Sequence, residues 1–347
     1  MTQKKQTKSE KQTQNQTLYR KYRPKSFDNV YGQKEVVDVL KNSIKNNAIS
    51  HAYLFSGTRG CGKTSIARIF ANELGISKDD VYEIDGASNR KIEDIREIRN
   101  NVSVLPISSE YKMYIIDEAH MLTKEASNAL LKTLEEPPEH VIFVLATTEK
   151  EKFLDTIISR CQVFDFNRAD LESITNLISD IAKKEKVKLD ENSLKYIAKQ
   201  AHGSFRDAVS LFQKIISVLG QDIDFEKIKK EFESNSENLV DDFLTALNAK
   251  NKEQLLQVYL SLKEKDFDLK IFTQNVLEKV RHLLLISNSK DFENYYQNLY
   301  SKDEMDFLKS LENINSLDLK KILETLDNVE KSSNPNIAFE ISILNLV

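Results

Sequence analysis

Short apolar runs alternate with helical patterns along the first half of the chain. Ala52-Tyr53-Leu54-Phe55, residues 81–85, 113–116, 140–146 and 162–166 are rich in β-branched and aromatic residues. Their length and composition are those of strands buried on both faces. Between them, residues 65–71, 88–102 and 123–136 carry apolar positions at helical spacing, with Thr123 as a cap and Pro137-Pro138 as a stop. Strands alternating with helices predict an α/β domain over residues 17–167, a parallel five-stranded sheet with helices on both faces. Then the pattern changes. Residues 171–184, 193–201 and 205–219 predict a small three-helix domain at 168–220. From 221 to 347, segments such as 239–249, 255–262, 271–285 and 317–329 keep a helical period throughout, predicting an all-helical third domain.

Composition agrees with few turns. The chain has 8 glycines and 5 prolines in 347 residues, under a third of the roughly 12% that the pair makes up in an average soluble chain. Collagen-like, many-turned sandwich and low-complexity architectures are excluded. Two cysteines, Cys61 and Cys161, cannot build a disulfide framework or a four-thiolate zinc site, so a cytoplasmic setting is expected. The apolar run 141–146 falls far short of the ~20 residues that cross a bilayer, and the polar start of the chain has no secretory-signal core. No membrane partner is expected. Net charge is −4, from 50 basic and 54 acidic side chains. Residues 1–30 nevertheless hold eight Lys/Arg against two acids, which predicts a basic, solvated, disordered arm over residues 1–16.

Three of the eight glycines fall within six residues, in Gly57-Thr58-Arg59-Gly60-Cys61-Gly62-Lys63-Thr64. This matches GxxxxGK[ST], with an apolar strand before it and a helical pattern, starting at Ser65, after it, which is the context a phosphate loop requires. Glycines let successive backbone N–H groups turn toward phosphate oxygens, and the helix N-terminus adds partial positive charge. Lys63 would reach the β and γ phosphates of ATP, and Thr64 would offer Mg²⁺ a hard oxygen ligand. Further on, Lys112-Met113-Tyr114-Ile115-Ile116-Asp117-Glu118-Ala119-His120 runs an apolar strand into two acids. Asp117 would hold the same Mg²⁺ through water, and Glu118 would act as general base toward the attacking water. His120 has no histidine partner at i+4, so it reads as a packing or capping residue and not a metal ligand.

Several ordered motifs carry a resemblance. Leu18-Tyr19-Arg20-Lys21-Tyr22-Arg23-Pro24-Lys25-Ser26-Phe27-Asp28-Asn29-Val30-Tyr31-Gly32-Gln33 resembles the N-terminal signature of clamp-loader AAA+ ATPases. Asp85-Gly86-Ala87-Ser88-Asn89, the Asp117-Glu118-Ala119-His120-Met121-Leu122 run, Leu134-Glu135-Glu136-Pro137-Pro138, Leu145-Ala146-Thr147-Thr148 and Ser159-Arg160-Cys161 narrow it to the gamma/tau family of bacterial DNA polymerase III. The likeness spans about residues 17–220 closely and the rest by helical pattern. It implies an ATP-hydrolysing motor subunit that loads the sliding clamp onto primer-template DNA, in a ring with delta and delta-prime type subunits.

The same resemblance implies further roles. Thr148 matches the sensor that hydrogen-bonds the γ-phosphate or its water, and Arg206 the second sensor, reaching phosphates from the three-helix lid. Arg160 matches an arginine finger acting in trans, in a neighbouring subunit's site. Tyr19, Arg23, Pro24, Val30 and Tyr31 match positions that enclose base and sugar. Arg90, Lys91, Lys124 and Lys132 become candidates to track DNA phosphates in a salt-dependent, sequence-independent way. Residues 221–347 would form the collar through which subunits pack.

Two departures qualify the likeness. The four-cysteine zinc module usual in the family has no counterpart between residues 71 and 80, so no zinc is expected. The chain stops at Val347, which suggests the short, loader-only form. The family is catalogued with DNA-directed polymerases, yet no two-metal polymerase carboxylate pair is visible. Rival readings are a non-catalytic scaffold subunit of the same complex, against which the complete set Lys63, Thr64, Asp117 and Glu118 argues, and a different AAA+ DNA-remodelling ATPase.

Overall fold

The structure is a computed structural model and describes residues 17–88, 100–232, 236–265, 267–297, 300 and 302–346. Its first compact unit runs to Lys227 and its second from Ile228 to Val347. The residues just after the expected boundary at 220 fall in the first unit. A two-stranded parallel ladder joins β6 (Lys188–Leu189) to β7 (Asp222–Ile223), and the Phe225 ring lies 6.0 Å from that of Tyr196. Both contacts tie the residues after Gly220 back to the three-helix region.

In the first unit the elements follow in the order α1 (Leu18–Lys21), α2 (Lys34–Lys45), β1 (Ala52–Gly57), α3 (Lys63–Glu73), β2 (Val81–Asp85), β3 (Lys112–Asp117), α4 (Lys124–Glu135), β4 (Val141–Thr147), α5 (Asp155–Ile158) and β5 (Gln162–Phe166). The five strands form one parallel sheet in the order β2-β3-β4-β1-β5. Its apolar runs feed two cores at once, because alternate strand residues point to opposite faces. Tyr53, Phe55, Met113, Ile115, Ile142 and Val144 pack on one face with Leu40 of α2 and Ile66, Ile69 and Phe70 of α3. Leu54, Tyr114, Ile116, Phe143 and Leu145 pack on the other with Ala126, Leu130 and Leu134 of α4. This order places the end of β4 between the ends of β1 and β3. The phosphate loop, the acidic pair and Thr147-Thr148 thus emerge side by side at one sheet edge, where ligands bind in open α/β folds.

The three-helix region is α6 (Leu171–Glu185), α7 (Glu191–Gln200) and α8 (Phe205–Leu219). Each begins at a side-chain cap: Asp170 accepts from the Ser173 amide, Asp190 from that of Ser193, and Ser204 from that of Asp207. Ile174, Ile178, Ile181, Ile197, Phe212 and Ile215 are buried between them. Helix α9 (Phe225–Phe232) follows β7 and contains the division between the units.

The second unit continues through α10 (Ser236–Asn248), α11 (Lys252–Glu264), α12 (Leu269–Asn288), α13 (Lys290–Gln297), α14 (Lys302–Ser310), α15 (Ser316–Lys331) and α16 (Pro335–Leu346). Phe243, Leu247, Leu255, Phe272, Val280, Ile322 and Phe339 are among its core residues. Among the described residues of the chain, no helix is long and apolar enough to cross a membrane.

Candidate nucleotide-binding site

The loop after β1 bends as its glycines allow: Gly60 has φ 80° and Gly62 φ 111°, in the left-handed region. The Lys63 side chain is 5% exposed and its ammonium donates to the carbonyls of Gly57, at 2.7 Å, and Thr58, at 2.9 Å. A strongly hydrated cation is held here in a cradle of loop oxygens, positioned for anionic ligand. One residue on, Thr64 Oγ1 donates to Asp117 Oδ2 at 2.7 Å. That joins α3 to the end of β3, and a hydroxyl beside a carboxylate is the donor chemistry a Mg²⁺ shared with phosphates takes. Glu118 follows at φ 45°, left-handed for a residue with a Cβ. Its Oε2 accepts from Thr148 Oγ1 at 3.1 Å.

The sequence Asp85-Gly86 supports the acidic pair from the neighbouring strand. The Gly86 amide donates to Asp117 O at 2.7 Å, and a Cβ on Gly86 would stand 2.7 Å from Glu118 O. Only a glycine fits that approach.

A cavity of about 710 Å³ opens over the loop, within the range that small-molecule sites occupy. Eight basic and four acidic side chains line it. A cationic cavity in a chain of net charge −4 selects for a polyanion. Of the expected residues, Tyr19, Arg23, Pro24, Val30, Tyr31, Arg59, Gly60, Cys61, Gly62, Lys63, Thr64, Ser65, Asp117, Glu118 and Arg206 line it. The Arg206 guanidinium carbon sits 4.9 Å from the Tyr19 ring centroid. The cavity also meets the start of α8, whose Phe205 amide donates to Gly60 O at 3.1 Å. A Cβ on Gly60 would fall 2.0 Å from Ser204 Oγ, so loop and lid touch through this glycine.

Other expected residues stand apart from the lining. Gly57 and Thr58 contribute their carbonyls to Lys63, and Thr148 reaches the site through Glu118. Arg160 is not among the lining residues of its own chain. It donates to Thr156 O at 2.6 Å and to Glu135 Oε1 at 2.8 Å, a half-exposed ion pair with α4. Lys124 and Lys132 are exposed on α4. Arg90, Lys91 and the arm at 1–16 lie outside the described residues.

The segment that carries the N-terminal signature makes contacts that the sequence does not show. The segment around α1 is strapped to the lid: Lys21 Nζ pairs with Glu185 at 2.6 Å, Tyr22 donates to the same carboxylate, Tyr31 donates to Asp180, and the Leu18 amide donates to Gln213 Oε1 at 2.8 Å. Burial, then the Asp180 carboxylate, pushes the Tyr31 phenol up to about 12. Burial would raise Glu185, but Lys21 and Tyr22 outweigh it and hold its carboxyl below the ordinary value. Leu177, Asp180, Ile181 and Lys184 line the cavity from one face of α6, a helical spacing visible in sequence but with nothing there to say what it faces. His120, expected to pack or cap, has a side chain 5% exposed.

Comparison with known proteins places these features. The sequence model of the family described as DNA polymerase III, delta subunit, matches residues 32–87 and 76–170, and that of the DNA polymerase III clamp loader subunit, ATPase lid domain, matches residues 173–220. The Thermotoga maritima RuvB Holliday junction branch migration motor superposes with a TM-score of 0.53 at 20% identity, over 72% of this chain and 99% of that one, a likeness of fold. Fold and site together are those of an AAA+ P-loop ATPase. Among curated relatives, the DNA polymerase III subunit gamma of Buchnera aphidicola (from Acyrthosiphon pisum) is 38% identical over 83% of this chain and 84% of its own length, and the subunit tau of Bacillus subtilis is 39% identical over 82% of this chain but 54% of its own. The chain belongs to the gamma/tau family of DNA polymerase III clamp-loader subunits, and spans about half the length of the tau relative.

Proposed function

We propose that the chain is the ATP-hydrolysing motor subunit of a bacterial clamp loader, acting in the cytoplasm to place the sliding clamp on primed DNA. The observation that carries this reading is the convergence of Lys63, the Thr64–Asp117 pair and Glu118 in one cationic cavity of a gamma/tau family member. A non-catalytic scaffold would have no use for the full set.

The chemistry follows from the residues. The loop amides and Lys63 bind the β and γ phosphates of ATP. Thr64 and Asp117 would hold Mg²⁺, which when bound neutralises charge between those phosphates. Glu118 orients a water and accepts its proton as the water oxygen attacks the γ phosphorus, while the bond to the ADP oxygen breaks. Thr148 holds Glu118 and the water in register, and Arg206 reaches the phosphates from the lid. Residues 168–220 act as that lid and 221–347 as the collar of a ring with delta and delta-prime type subunits. Arg160, freed from Glu135, enters a neighbour's site, where its planar fork stabilises transition-state charge. Arg90, Lys91, Lys124 and Lys132 track DNA phosphates.

The test is ATP turnover with partner subunits, clamp and primer-template DNA. Lys63→Ala should lower stimulated kcat by roughly 10²–10³-fold, the scale of losing one preorganised charge-stabilising donor. Undiminished turnover sinks the motor reading. Mixing Arg160→Ala with Lys63→Ala subunits should give activity different from either alone; strict independence counts against a shared site.

A further inference from the structure

His120 stands on the turn that leaves β3, two residues past Glu118, and the phosphate chemistry above makes no use of it. Its side chain is 5% exposed. Nε2 lies 3.1 Å from Glu149 Oε1, and Nδ1 lies 3.0 Å from Thr147 Oγ1 and 3.5 Å from Glu118 Oε2. Thr147 Oγ1 in turn accepts from the Glu149 amide at 3.0 Å. A carboxylate only accepts, so the ring proton belongs on Nε2, toward Glu149. Thr147, already accepting one bond, has its hydroxyl proton to give to Nδ1. With that assignment the bonds to Glu149 and Thr147 are satisfied, and Nδ1, carrying no proton, makes no hydrogen bond to Glu118 Oε2.

The consequence is a double grip on three consecutive residues. From the β3 turn, His120 holds Thr147 and Glu149, while Glu118 accepts from Thr148 between them. Glu118 occupies a left-handed backbone conformation at φ 45°, one that persists only where surrounding contacts hold it. Its direction therefore depends on what fixes the turn. Resting on the ATP-hydrolysis reading, we propose that His120 is a positioning residue: by clamping Thr147 and Glu149 it sets the separation between the Glu118 carboxylate and the Thr148 hydroxyl, and so the place where a water can be activated.

A residue that merely packs would lower stability without separating kcat from KM. The experiment uses the full chain in the stimulated complex, with turnover, thermal melting and binding of a fluorescent ATP analogue measured on each variant. In folded His120→Ala, kcat should fall by roughly ten- to a hundredfold, the scale on which a small misplacement of a reacting group acts, while KM and analogue affinity stay within about threefold. Glu149 is part-exposed, so its variants test the clamp even where His120→Ala fails to fold. Glu149→Gln still accepts from Nε2 and should keep more of kcat than Glu149→Ala. An unchanged kcat in folded His120→Ala, or Glu149→Ala equal to the starting protein, overturns the proposal. Turnover that survives Lys63→Ala would instead overturn the parent reading.

Discussion

The phosphate-loop region and the helical second unit draw on the same residue types under opposite rules. Around the loop, local preferences are broken. Gly60 and Gly62 turn left-handed, Glu118 does so with a Cβ, and an ammonium is buried against carbonyls. The second unit breaks them less: among its described residues Lys250, at φ 51°, is left-handed with a Cβ. Residues 228–347 contain no glycine, and Asn251, Asp268 and Asn315 cap three of the helices. Its buried carboxylate, Asp318, closes a capping box and pairs with Lys250 at 2.7 Å. The difference teaches where to look for chemistry. A fold stabilised by consistency spends its inconsistencies where a ligand needs them.

The sharpest separation comes from the second core. Phe272 is fully buried, edge-on to Phe243 at 5.5 Å and to Phe339 at 6.0 Å. Phe272→Ala should destabilise the second unit by about 3–5 kcal/mol, read as an earlier urea transition. Nucleotide affinity should not move. A matching loss of affinity would break the contrast between the two regions.

Gly60→Ala reverses the pattern. At φ 80° the new Cβ strains the backbone by about 1–2 kcal/mol, and it lands 2.0 Å from Ser204 Oγ. The hydroxyl can rotate away, but then it abandons the Asp207 amide that it caps. Nucleotide affinity should drop by about tenfold or more in equilibrium titration, with the second unit's unfolding unchanged. Full affinity in Gly60→Ala would show that the loop and lid need not touch.

How far these features could be read in advance depends on how local their causes are. Strands 81–85 and 162–166 and helix 205–219 lie where the pattern puts them, because burial on two faces or one writes a run or a period into adjacent residues. Helix Pro335–Leu346 escaped notice since its PNIAFEISILNL sequence is apolar nearly all round and shows no stripe. The ladder between β6 and β7 is only two residues on each strand. Within the site, the loop and the acidic pair announce themselves through motif chemistry. Lys21, Tyr22, Asp180 and Lys184 do not, since their contacts join segments some 150 residues apart and no local spacing encodes that. Arg160 shows the converse. Resemblance singled it out, while within its own chain it makes an ordinary ion pair with Glu135.

The smallest effect discriminates between two helix caps. Ser204 accepts from the Asp207 amide at 3.2 Å at the start of α8, and Asn251 accepts from the Gln254 amide at 3.2 Å at the start of α11. Removing either cap with alanine leaves one orphan N–H and should cost about 1 kcal/mol, a shift of a few degrees in thermal melting. As caps they are equivalent. Only Ser204 also packs on the phosphate loop, its hydroxyl at Gly60 and the next amide on Gly60 O. Ser204→Ala should therefore also weaken nucleotide binding, by about two- to fivefold for part of a hydrogen-bonded contact, whereas Asn251→Ala should leave it untouched. Equal, purely thermal effects from the two would mean that the first turn of α8 is a helix end like any other and that the loop does not sense it.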